Sequence, residues 1–201
     1  MNDEKRMAGS YEIKLAIHVG DKEIVYGENM QDKDGQFYFV GNYTHNDLLA
    51  QYDNNGVSGD YLEIMQEFTD RVNRQIEAVR TERDAVSVPL TVFTADHCYP
   101  NDLSQSIDGK VVAIKADVFR REYRRGDQQI VLVSSGNGAQ ANARGRTVFY
   151  HNLYTGKHGR TYRNDIQGEL KPECTPAWVK ERLTAIQSEK TKEKRHKGEA
   201  R

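Results

Sequence analysis

Gln129-Ile-Val-Leu-Val-Ser134 and Thr147-Val-Phe-Tyr-His151 flank the loop Ser135-Gly-Asn-Gly-Ala-Gln-Ala-Asn-Ala-Arg-Gly-Arg146, and this order of strand, loop and strand decides the fold. A glycine loop that cradles a nucleotide phosphate needs a helix after it, with its N-terminus facing the anion. Here the β-branched and aromatic run Thr147-Val-Phe-Tyr150 follows, and no Gly-Lys-Ser/Thr closes the loop. Both common nucleotide-binding folds are therefore excluded, and the stretch reads as a long-looped hairpin. Gly136, Asn137, Gly138 and Asn142 expose backbone N–H groups, and Arg144 and Arg146 add positive charge at the exit. That combination suits an anionic partner, either a phosphate backbone or an acidic protein face.

Basic character continues on both sides. Upstream, Arg120, Arg121, Arg124 and Arg125 fall at i, i+1, i+4 and i+5, so a short helix capped by Asp117 would gather them on one cationic face. Downstream come Lys157, Arg160 and Arg163, interleaved with Tyr150, Tyr154 and Tyr162. Arginines beside aromatics grip phosphates and stack on bases. The blander alternative is a solvated face with core tyrosines.

Further out, Tyr11, Ile13, Leu15 and Ile17 alternate with other residues, Gly20-Asp21 turns the chain, and Glu23-Ile-Val-Tyr26 returns as a hairpin. Gln36–Val40 is a third strand. Thr44 through Leu48 and Leu49 reads as a short helix or an irregular stretch, ended by Asn54-Asn-Gly56. From Ser58, read as the N-cap, to about Asp84 runs a long helix with the apolar stripe Tyr61, Met65, Phe68, Val72, Ile76 and Val79. Glu67–Arg71 and Asp70–Arg74 are i,i+4 ion pairs on its wet side. The stripe packs on the N-terminal sheet, with a coiled-coil dimer seam as the alternative, so monomer and dimer both stay open. Past Pro89 the pattern becomes β-rich: Val111–Ile114, Gln129–Ser134, Thr147–Leu153 and the Tyr162–Leu170 region. Thr175-Pro176 then starts a helix carrying Trp178, Val179, Leu183 and Ile186. The fold class is α+β: an antiparallel sheet packed by one long helix (1–84), a second antiparallel β-rich unit with a C-terminal helix (85–187), and a charged tail (188–201).

The 201 residues are enough for two small cores. Net charge is −1, but residues 1–84 carry 17 acidic against 9 basic side chains (net −8), and residues 85–201 carry 13 against 20 (net +7). Such asymmetry points to a charged partner or to attraction between the halves. No apolar run approaches a membrane span, and the first residues lack the apolar centre of a signal peptide, so a cytoplasmic protein with reduced Cys98 and Cys174 is expected. Asp96-His97-Cys98 invites a nucleophile-and-base reading. Adjacent strand residues point to opposite faces, however, so the expectation is no enzyme and no cofactor. His97, Cys98, His151, His158 and Cys174 lack the spacing of a zinc motif.

Several strings together carry a resemblance. They are Tyr11-Glu-Ile-Lys14, Ile17-His-Val19, Asp60-Tyr-Leu-Glu63, Cys98-Tyr-Pro-Asn-Asp102, Gly109-Lys-Val-Val-Ala-Ile-Lys-Ala-Asp117 and Glu122-Tyr-Arg124. Ser135-Gly-Asn-Gly138, Asn142-Ala-Arg-Gly145, Tyr154-Thr-Gly156, Asp165-Ile-Gln-Gly168 and Pro176-Ala-Trp-Val179 complete the set. Across all but the two tails, the chain resembles small accessory proteins carried on conjugative elements and phages of gut anaerobic bacteria. The resemblance implies a genetic setting and no catalytic residue. Such elements carry inhibitors of host defence, including anti-CRISPR proteins against Cas9. It implies a non-enzymatic inhibitor that binds Cas9 with its guide RNA and blocks target DNA binding or cleavage. The alternative is a DNA- or RNA-binding accessory protein of conjugation or element maintenance.

Overall fold

The computed structural model describes residues 5–45 and 50–199. The chain divides into two compact units, Met1–Ala85 and Val86–Arg201. In the first, β1 (Met7–Ala8), β2 (Tyr11–Val19), β3 (Lys22–Glu28), β4 (Tyr38–His45) and β5 (Ala50–Ser58) form an antiparallel meander in chain order. Gly20, at positive φ (64°), makes the β2–β3 turn. Thr44 is a strand residue, while Leu48 and Leu49 lie outside the described residues. Asn54 and Asn55 end nothing: the register shifts between Val40↔Gly56 and Asn42↔Asp53, so the pair is a bulge within β5, with Asn54 at φ 47°.

The helix α1 (Tyr61–Asp84) starts later than Ser58, which ends β5. Asp60 is the cap, its carboxylate accepting from the Leu62 and Glu63 N–H groups. The packed face is also rotated from the expected stripe. Ile64 and Phe68 are buried with Ile24, Tyr26 and Val40, while Tyr61 and Ile76 are exposed. Met65 and Val72 of the stripe pack beside Ile64 and Phe68, partly buried, and Tyr61, at the margin of this face, meets Tyr38 edge-on with ring centroids 5.5 Å apart. Arg71 pairs with Glu67 at 2.6 Å as expected, but Arg74 also turns to Glu67, and Asp70 accepts from Gln66.

In the second unit, β6 (Val111–Ile114), α2 (Gly126–Gln129), β7 (Ile130–Ser135), β8 (Thr147–Asn152), β9 (His158–Tyr162) and β10 (Ile166–Glu169) build an antiparallel sheet of order β10-β6-β7-β8-β9. The helix α3 (Ala177–Glu199) ends the unit and takes in residues read as a separate tail. The apolar runs in β6 and β7 are continuous because the sheet is buried on both faces. Val112, Ile114, Val131, Val133 and Val148 pack with Ile107, Ala139 and Ile166 on one side. Ala113 and Ile130 pack on the other with Phe93, Cys98, Leu153, Leu170 and Val179 of α3. Two-fold alternation sends neighbouring residues into the two cores. Buried Gln129 ties the connector to the sheet: its Oε1 accepts from Phe93 N (2.8 Å), and its Nε2 donates to the carbonyls of Phe93 and Ile114 (both 2.9 Å). The helix begins just after Thr175-Pro176, and the Thr175 hydroxyl donates back to the Lys171 carbonyl (2.9 Å). Among the described residues, no helix is long and apolar enough to cross a membrane.

Replacing Phe68 with alanine should destabilise the first unit by about 3–5 kcal/mol through lost burial and a residual cavity. Leu62→Ala, on the exposed side of the same helix, should change it by less than about 0.5 kcal/mol. Urea unfolding with a probe in each unit measures both.

Candidate nucleic-acid interface

The expected cationic helix at 120–125 does not form. The segment makes two isolated 3₁₀ turns, Ala116–Val118 and Arg121–Tyr123, with Phe119 and Arg120 extended between them. Arg120 and Arg121 are exposed. Arg124 donates through Nε to the Phe119 carbonyl (3.1 Å), which closes the turn. Arg125 is interior: it pairs with fully buried Asp127 at 3.0 Å and lies over the Tyr123 ring. A buried carboxylate needs a cation, so Asp127 captures the nearest arginine and takes it out of the surface. Gly126 lets this turn pack tightly, because a Cβ there would meet the Phe93 ring and Thr91 carbonyl.

The glycine loop is likewise a folded structure over its first half. Gly136 sits at φ 117°, and Asn137–Ala139 form a 3₁₀ turn whose Gly138 and Ala139 are buried. A Cβ at Gly136 or Gly138 would strike the carbonyls of Thr147 or Arg146. These glycines therefore serve close backbone packing rather than a phosphate cradle. The Ala139 carbonyl accepts from Ile107 N (2.8 Å), and Asn142 N donates to Leu103 O (2.9 Å), so the loop is laced to segment 101–107. Asn142 holds the left-handed conformation at φ 53°.

Arg163 organises this end of the unit. Only 4% exposed, it donates to Asn101 Oδ1 (2.9 Å) and to the carbonyls of Asp102 (2.8 Å), Gln105 (3.1 Å) and Gly138 (3.3 Å). Burial pushes its guanidinium below the usual arginine range, and nearby Asp102 partly offsets this. Beside it opens a pocket of about 230 Å³ lined by Gly138, Arg144, Arg146, Arg163, Leu103 and Gln140, among others. The lining holds three guanidinium groups and no carboxylate. Four of the residues singled out in the sequence, Gly138, Arg144, Arg146 and Arg163, thus meet in one place.

The β8–β9 pairing places the remaining ones. Arg163 N donates to Arg146 O (2.8 Å), which continues the hairpin by one step. Within it, Thr147↔Tyr162, Phe149↔Arg160 and His151↔His158 are directly opposite. They form three rungs on one face spanning about 13 Å. Phe149 is 46% and Tyr162 61% exposed, and Arg160 lies between them on the same face. Lys157 lies exposed in the β8–β9 turn. Tyr150 turns to the opposite face, its ring lying where a Cβ on Gly159 would be. Tyr154 packs edge-on against Trp178 at 6.1 Å. Phe149 escaped notice in the sequence because β9, His158-Gly-Arg-Thr-Tyr162, has little apolar content to announce a strand.

In the Asp96-His97-Cys98 triplet the histidine is engaged by Thr94 and Phe93, and the cysteine is buried. His97 Nδ1 accepts from Thr94 N (3.1 Å), and its ring packs on Phe93. Cys98 is 3% exposed, and burial, with a smaller contribution from Cys174, pushes its thiol up to about 11. A thiol held protonated is a poor nucleophile. No known protein family, curated protein or solved structure matches this chain.

Arg163→Lys should destabilise the second unit by at least ~2 kcal/mol, because one ammonium cannot satisfy the carbonyls that the planar fork serves. Arg144→Ala and Arg146→Ala, at the loop exit, should stay within about 0.5 kcal/mol. Thermal denaturation separates the two classes. A raised thiol pKa favours the protonated folded state, so the Cys98 contribution is intact below the ordinary value of 9.0. It should be lost as pH climbs from there toward 11. Cys98→Ser should remove that part of the alkaline stability loss. At neutral pH, thiol reagents should modify partly exposed Cys174 well before Cys98.

Proposed function

We propose that this chain is a non-enzymatic binding protein for a nucleic-acid-bearing partner, contacted through its second unit. The observation that carries the reading is the β8–β9 face, where exposed Phe149 and Tyr162 flank Arg160. The pocket of Arg144, Arg146 and Arg163 opens at the same end of the hairpin. Aromatic faces stack on any base, and guanidinium groups bind phosphate oxygens in pairs, so the combination fits an unpaired strand. The resemblance to mobile-element accessory proteins supplies the setting: inhibition of a host-defence nucleoprotein, with Cas9 and its guide RNA as the named partner. In that setting the first unit, net −8, meets a basic channel that otherwise holds nucleic acid, and the second meets the guide. A DNA- or RNA-binding accessory role in conjugation or element maintenance is the second reading. The aromatic face favours it because stacking requires no protein partner.

Size-exclusion and gel-shift experiments with single-stranded DNA, single-stranded RNA and a Cas9–guide complex test both. The inhibitor reading expects co-elution with the complex and reduced target cleavage. The accessory reading expects binding to free strands that weakens steeply with salt. Phe149→Ala and Tyr162→Ala should each cost about 1–3 kcal/mol of strand affinity. Charge reversal at Arg144 and Arg146 should flatten the salt dependence, by about 0.7 in slope for each phosphate that is no longer gripped. Binding to none of these partners, or affinities unmoved by all four substitutions, would remove the proposal.

A further inference from the structure

The sequence spacing of His151 and His158 carries no metal motif, yet the β8–β9 register places the two residues directly opposite each other. Their ring centroids are 3.9 Å apart, with the planes inclined at 58°. His158 is exposed and His151 half-buried. We propose that the pair is a two-histidine site for a divalent transition-metal ion of the nickel, copper and zinc class.

Directly opposed strand residues hold their Cβ atoms about 4.5–5.5 Å apart. From that separation two imidazoles reach one ion at the usual distance of about 2.0–2.1 Å with side-chain rotation alone. Imidazole is the nitrogen ligand these borderline ions favour over the oxygen-seeking calcium and magnesium. Each ring needs to give only one of its two nitrogens, and the other stays available for a positioning hydrogen bond. The backbone is prearranged as well. Asn152 anchors the adjoining turn, with its Oδ1 accepting from Thr155 N (2.7 Å) and its Nδ2 donating to Asp127 O (2.8 Å).

A cavity of about 270 Å³ reaches His151 between the sheet and α3, lined also by Leu132, Arg182, Ile186 and Glu189. Arg182 and the neighbouring rung's Arg160 weaken cation binding, and Glu189 opposes them. Among the described residues, no third His, Cys, Asp or Glu completes the set. Water therefore holds the remaining positions, and the site has the open coordination of an accessible ion rather than the closed shell of a structural zinc.

Calorimetric titration of the full chain with nickel chloride at about pH 7.5, in parallel with histidine ring NMR, tests the site. The expected result is one binding event that moves the His151 and His158 resonances together. His158→Ala should weaken it on the order of 100-fold by removing two-point attachment. His158→Phe keeps a ring against His151 without a ligand nitrogen and should do the same. His97→Ala should leave binding unchanged. Circular dichroism checks that the variants fold, as an exposed edge-strand position allows. Absence of binding by the wild-type chain, or an event that survives both His158 substitutions, overturns the proposal.

Discussion

The buried guanidinium of Arg163 joins three stretches of chain at one end of the second unit. It holds the carbonyls of Asp102 and Gln105 from one loop, Gly138 from the glycine turn, and Asn101 Oδ1. Asn101 answers by donating to the carbonyls of Arg163 and Ile166, both at 3.0 Å. A buried cation without these partners would be strongly unfavourable, and the carbonyls without it would be left unpaired away from water. The arrangement is therefore mutually required. It fixes where Arg144 and Arg146 stand at the loop exit, and it closes the Arg146–Arg163 end of the hairpin from which the aromatic face extends.

The two units solve the burial problem differently. In the first, Ile24, Tyr26 and Val40 take the helix on one face, while Val25 and Phe39 on the other lie under Ala8, Tyr11, Ile13, Tyr43 and Tyr52. Arg6 stacks over Tyr43 at 4.1 Å and pairs with Glu23 at 2.6 Å, covering this second face with an aliphatic stem and a paired charge. In the second unit, loops and α3 bury the sheet centre on both sides. The outer β8–β9 hairpin keeps a polar and aromatic face, which is why binding chemistry gathers there. An edge strand built from His, Gly, Arg, Thr and Tyr also resists unwanted pairing, since its charged and ring-bearing positions face solvent.

Much of the architecture was legible. The strand at Tyr11–Ile17, the helix spaced from Tyr61 to Val79 and the strand that follows the glycine loop each state a local geometry that the structure keeps. Packing altered only which side chains face inward: a register shift between Ile13 and Leu15 leaves Leu15 and Ile17 exposed, and the helix turns Ile64 to the sheet. The misreadings share a cause. Ser58 has good capping chemistry, but Asp60 took the role because the preceding strand runs on through Ser58. Asn54-Asn-Gly56 looks like a turn, yet one extra residue against Gly41 makes it a bulge. At 120–125 the arginine spacing fits a helix, but Asp127 offered Arg125 an interior partner and the segment broke into short turns.

The candidate interface divides along the same line. Sequence alone determined that residues 85–201 are basic, that arginines and tyrosines are interleaved after Gly136, and that a hairpin separates them, because composition and alternation are local properties. It could not tell that Arg125 and Arg163 are interior while Arg144, Arg146 and Arg160 stand at the outer hairpin, since an arginine's burial depends on which distant carbonyls and carboxylates reach it. Nor could it pair His151 with His158 or Phe149 with Arg160. Register is set by the closing of the turn at Asn152–Lys157 and by the core beneath Val148, and a slip of one residue would send each of those side chains to the opposite face.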